Sequence, residues 1–186
     1  MTFPKVYRLD RTKKHLEPKE LHERAWDWIS GSYRMQAKMK APWLDKEELP
    51  LWGLHSSDEV LWYSTKWSGP KEQMATVDIL RTTLRIRRHV ESYVFICEMW
   101  ATVTTNMDKL FNQHMEEEEN RPTARRESKL MIFTVHRSGE KHLTFAIINE
   151  FPGKPTTLGP RDDIDVLDVG DWKGRMFESL FVEAKP

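Results

Sequence analysis

Residues 93–100 read YVFICEMW. β-branched and aromatic residues dominate this run, so it reads as a strand. Side chains alternate between the two faces of a strand. Tyr93, Phe95, Cys97 and Met99 therefore share one face, and Val94, Ile96, Glu98 and Trp100 share the other. Both faces are apolar, which requires a central strand with cover on both sides. The rest of the chain must supply two covering layers and flanking strands.

Glu98 is the one group in this run that water would normally claim. An unpaired buried carboxylate costs several kcal/mol or takes up a proton, so Glu98 needs a partner. The segment RRESK carries Arg125, Arg126, Glu127 and Lys129 into the next β-rich run. Antiparallel pairing of residues 92–102 with 128–136 is expected to bring Glu98 near Lys129 or Arg126. One reading is an ion pair at the end of the buried zone. The other is a polar site built from Glu98, Glu127, Lys129 and an arginine, since carboxylates beside cations often mark functional clefts.

Two helices supply the cover. From Pro18, which suits a first helical turn, the residues Leu21, Ala25, Trp28, Ser32, Met35 and Met39 follow helical spacing. Gly31 is a point where that helix can kink or end. A second helix spans 71–88, with Val77, Leu80 and Leu84 on one stripe. Residues 60–65 read as a short strand, and 128–151 as a hairpin around RSGEK, with Gly139 free to take a positive φ. Residues 107–114 allow a short helix, the acid run Glu116–Glu119 a solvated loop, and residues 41–59 a loop rich in Trp and Pro. Strands grouped after the second helix favour an α+β fold: a mainly antiparallel sheet of four or five strands with two helices packed on it. The domain plan is an N-terminal arm at 1–17 and one domain at 18–186. In that domain 18–57 holds the helix and Trp-rich loop, and 58–186 the sheet core.

Composition narrows the function classes. Lys and Arg total 29, as do Asp and Glu, so global charge argues for neither nucleic acid nor an anionic membrane. The single cysteine, Cys97, cannot form an internal disulfide, which fits a reducing compartment. No signal-peptide core and no run of about 20 apolar residues is present. A soluble cytoplasmic protein is expected, with no membrane partner.

The segments SYVFICEMW, RPTARRESKLMIF, TLGP and GRMFESLF resemble a family of small bacterial proteins with the pattern YxFVSEAW, PxxRxE, LGP and GRF. The likeness covers roughly 58–182. It picks out Glu98, Trp100, Pro122, Arg126, Glu127, Gly159 and Gly174. Cys97 stands where the family has serine, Met99 where it has alanine, and Met176 precedes the final aromatic. The resemblance implies the fold outline and no chemistry.

Among enzymatic readings, Glu98 with Glu127-Ser-Lys129 is similar to the acid and (D/E)xK arrangement of metal-dependent nucleases. There Glu98 and Glu127 would hold a divalent ion and Lys129 would help position water. Zinc finds no motif: there is no HxH or HExxH among seven histidines, although His136 and His142 flank the hairpin turn. Cys97 lies in a buried strand, which is wrong for a nucleophile. No glycine-rich phosphate loop occurs, so no cofactor is expected. Arg81, Arg85 and Arg88 form a basic stripe on the second helix, able to hold phosphates or an acidic partner; nucleic acid stays open. Trp26, Trp43, Trp52, Trp67 and Trp172 are many for a small core, so some are expected to line a groove or a dimer contact. The preferred expectation is a non-enzymatic binding or regulatory module. It would use a Trp-lined surface with Trp100, and the basic side chains of Arg81, Arg85, Arg88 and Arg126. The nuclease is the alternative.

Overall fold

The structure, a computed structural model, describes residues 5–12, 14–39, 49–65, 67, 69–102, 126–151, 153–164 and 180–181. The elements are β1 (Lys5–Arg11), α1 (Pro18–Met39), β2 (Leu51–Ser56), β3 (Glu59–Ser64), α2 (Pro70–Ile86), β4 (Ser92–Thr102), β5 (Arg126–His136), β6 (Lys141–Asn149) and β7 (Thr157–Ile164). One sheet of seven strands runs β1-β3-β2-β4-β5-β6-β7, and every pairing in it is antiparallel. The fold is α+β, with a sheet larger than the four or five strands expected.

The extra strands come from segments that read as arm or loop. Residues 5–11 form edge strand β1 on β3, in place of a free arm. Leu51–Ser56, expected as loop, is a central strand buried along its whole length. Gly53 disguised it. A Cβ there would lie 2.7 Å from Val94 Cγ1 and 2.8 Å from Trp62 Cζ3. The glycine marks a close approach inside a strand rather than a turn. The hairpin between β5 and β6 turns at Gly139, whose φ is +98°.

β4 occupies the middle of the sheet, and Tyr93–Ile96 are fully buried. Trp52, Leu54, Tyr93, Phe95, Met131 and Phe133 form one face and pack under Val77, Leu80 and Leu84 of α2. Trp52 stacks on Phe95 at 4.1 Å between ring centroids. Val94, Ile96, Leu130, Ile132 and Trp62 form the other face, under Leu21, Ala25 and Ile29 of α1. The buried line of α1 runs Leu21, Ala25, Ile29, Tyr33. It does not follow Trp28, Ser32 and Met35, and Met35 is exposed. α1 passes Gly31 without ending. Among the described residues no helix is long and apolar enough to cross a membrane.

Candidate ligand-binding cleft

Register decides the fate of the expected acid site. Glu98 lies opposite Leu130, and Lys129 lies opposite Met99, with no register shift along the pair. Leu130 belongs to the α1 face and Met99 packs on the α2 face. Opposed residues share a face, so Glu98 and Lys129 are on opposite sides of the sheet. The acid and the lysine of the nuclease reading do not meet. Glu127 is opposite Ala101 and Arg126 opposite Thr102; their side chains, and that of Trp100, lie outside the described residues. The partner of Glu98 comes from a helix instead. The Tyr33 hydroxyl donates to Glu98 Oε1 at 2.6 Å. Burial, and then this bond to a carboxylate, raise the Tyr33 pKa. Burial also pushes the Cys97 thiol up to about 12, with Glu98 adding to it. Cys97 is therefore a thiol at neutral pH, unsuited to nucleophilic attack.

The basic stripe is shorter than its spacing implied. α2 ends at Ile86, where the Arg87 N–H bonds to the Thr83 carbonyl at 2.8 Å. Arg88 is past the helix end, and Arg81 is paired with Asp78 at 3.3 Å; Arg85 is exposed. The tryptophans are also placed differently. Trp52 is buried, and Trp26 and Trp67 are half-buried. None of the tryptophans whose side chains are described is exposed. Trp43 and Trp172 lie outside the described residues, as do 107–114 and Glu116–Glu119.

A cleft of about 630 Å³ opens where the start of α1 crosses β6 and β7. Its floor is built by pairing. Thr134 lies opposite His142, and Thr144 lies between Ile132 and Asp163. The α1 face thus presents two threonines diagonally, and His22 descends from α1 between them. His22 Nδ1 is 2.8 Å from Thr134 Oγ1, and Nε2 is 2.7 Å from Thr144 Oγ1. The Thr144 hydroxyl donates to Asp163 Oδ1. A hydroxyl has one proton to give. Thr144 must therefore accept from His22 Nε2–H, and Nδ1 accepts from Thr134. This fixes one neutral tautomer. Burial, followed by His142 and Arg161, pushes the His22 pKa down to about 4.

Arg161 links the floor to the helix. Its guanidinium grips Glu23 with two bonds, 2.5 and 2.7 Å, and Asp163 with a third at 2.7 Å. The Trp26 ring lies 5.4 Å from its Cζ. A bidentate fork is the strongest common form of this pair. The bonds to Glu23 raise the Arg161 pKa, and the bond from Arg161 lowers that of Glu23. At Asp163 burial works upward, but bonds from Arg161 and Thr144 outweigh it and hold the carboxyl low. Lys19, Lys141 and His142 also line the cleft. His142 Nε2 is 2.8 Å from Glu140 Oε1, and His136 Nδ1 is 2.7 Å from Ser138 Oγ. Each of these histidines bonds within its own turn, not to the other.

Of these residues, only His142 drew notice in the sequence. His22, Glu23, Arg161 and Asp163 follow no motif, and the pairs they make span up to 138 positions. A polar alternation of threonines in β5 and β6, opposite a helical histidine, was the only available signal. Comparison of the chain with protein-family models, with curated proteins and with solved structures gives no match.

Proposed function

We propose that the protein is a binding module for a small anionic ligand, seated in the cleft between α1 and the β5–β6–β7 end of the sheet. One observation carries this reading. Lys19 of α1 and Lys141 at the start of β6 both line the cleft, neither with an ion-pair partner among the described residues, beside polar groups that are already bonded. A volume of about 630 Å³ is in the range of small-molecule sites. The floor is rigid: a neutral imidazole locked by two hydroxyls, and a guanidinium held by two carboxylates. Glu23 and Asp163 are answered by Arg161, so the free charge facing a ligand is that of the lysines.

The test is a thermal-shift titration with inorganic phosphate and with citrate at constant ionic strength. A ligand that binds only the folded state stabilises it by about 2.7 kcal/mol at a hundredfold excess over Kd. A rise in Tm is expected for the wild type and not for the Lys19→Gln/Lys141→Gln double variant. An equal rise in both proteins, or no rise with either anion, would remove the cleft from consideration.

A further inference from the structure

The opposite corner of the α1 face holds a second group of polar side chains. Row by row, Asp10 lies opposite Val60, Val60 opposite His55, His55 opposite Ser92, and Ser92 opposite His136. His55 is fully buried, yet neither of its ring nitrogens makes a well-directed hydrogen bond among the described residues, the Ser57 backbone being a weak partner at most. Six buried side-chain nitrogen and oxygen atoms in the described residues are unsatisfied in this way. Five of them belong to Thr12, His55, Glu91 and Ser92. Native proteins leave few such atoms, and an unseen water or ion is a common reason. Their gathering at one end of the sheet points to something bound there.

The donor atoms fit a metal. One ligand atom each from His15, His55 and Glu91 lies within 4.8 Å of the other two. His15 Nδ1 is 3.2 Å from Glu91 Oε2, but the contact lacks hydrogen-bond direction. Zinc bonds of about 2.0–2.2 Å to nitrogen and oxygen place tetrahedral ligands about 3.3 Å apart. The His15–Glu91 spacing already matches. The His15 and Glu91 side chains are 45% and 42% exposed, which leaves room for a change of rotamer toward the imidazole of His55. The backbone under the site is pinned: the Glu91 N–H bonds to the His55 carbonyl at 2.9 Å, and the Arg137 N–H to the Glu91 carbonyl at 2.8 Å.

We infer that His15, His55 and Glu91 form a site for a divalent transition metal of the zinc class. Two imidazoles and one carboxylate select zinc-like ions over magnesium or calcium, which prefer all-oxygen shells. Three protein ligands leave a fourth position for water. The hydroxyl of Ser92, opposite His55, is placed to steady it. The metal ties the link before α1, through His15, to the ends of β2 and β4.

The first measurement is a Co²⁺ titration of tag-free protein, followed by visible absorption, with Zn²⁺ competition. One equivalent is expected, with the ligand-field bands of a four-coordinate N/O site, displaced by Zn²⁺ and not by Mg²⁺. His55→Ala removes a buried ring and stands to unfold the protein, so His15→Ala and Glu91→Gln carry the test. Each should weaken binding at least tenfold, because even the outer partners of metal ligands are worth about 10–100-fold. Each should also abolish the Zn²⁺-induced rise in Tm, with the fold intact by circular dichroism. His142→Ala, at the other end of the α1 face, should bind as the wild type does. No stoichiometric band in the wild type would overturn the assignment. So would unchanged binding in His15→Ala and Glu91→Gln, or loss of binding in His142→Ala.

Discussion

Glu98 is half-buried in a strand otherwise lined by apolar side chains, and its answer is the hydroxyl of Tyr33. The phenol reaches it because α1 runs straight past Gly31, which puts Tyr33 on the buried line after Ile29. A tyrosine costs less to bury here than a lysine, since it brings no second charge. Tyr33→Phe keeps the ring and removes the donor. A hydrogen bond to a charged group is worth about 1.5–3 kcal/mol, so a loss of that size is expected in urea unfolding. Tyr33→Phe should also be more harmful than Glu98→Gln, which retains an acceptor oxygen for the phenol. The reverse order would show that Glu98 draws its main support from somewhere other than Tyr33.

Between elements, the firmest polar tie among the described residues is the clamp of Arg161 in β7 on Glu23 in α1. It fastens the helix to the last strand of the sheet and walls the cleft. Arg161→Ala removes three charge-assisted bonds and a cation over Trp26. The Glu23 side chain is 41% exposed, so solvent screens part of the effect. A loss of about 1–2 kcal/mol is expected, measured by chemical denaturation. Arg161→Lys should recover little of it, because an ammonium lacks the planar fork. Full recovery by lysine would mean that charge, and not bidentate geometry, holds the helix. The long helices were legible from apolar spacing, and the β5–β6 hairpin from its turn. β1 and β2 were not. β1 is rich in charged residues, as edge strands commonly are, and β2 carries a glycine whose purpose is visible only beside Val94 and Trp62.

At the scale of the whole molecule, buried histidine couples stability to pH. His22 titrates near 4 when folded, against an ordinary value of 6.5. The unfolded chain therefore binds a proton first as pH falls. The His22 contribution is fully present above about pH 6.5 and is lost between 6.5 and 4. A displacement of this size corresponds to roughly 3 kcal/mol. Glu23 and Asp163 are held below their ordinary values, and their share is lost only at more acid pH. Stability measured by urea at pH 7, 6, 5 and 4.5 should fall steadily in the wild type. In His22→Gln the slope over this window should shrink by about one proton. An unchanged slope would assign the loss to other groups.

The central strand, the two helices and the hairpin can be read from the chain alone, because each is set by local spacing of apolar side chains along a short run. So can the need of Glu98 for a partner, since burial of a carboxylate is costly wherever it occurs. Tertiary structure decided which partner. One position of strand register sends a side chain to the other face of the sheet, and that step parted Glu98 from Lys129. It decided the cleft and the histidine corner for the same reason. His22 meets Thr134 across 112 positions, and His15 meets Glu91 from the far side of the first helix. Contacts of that range depend on the order and register of strands, which no local pattern of residues encodes.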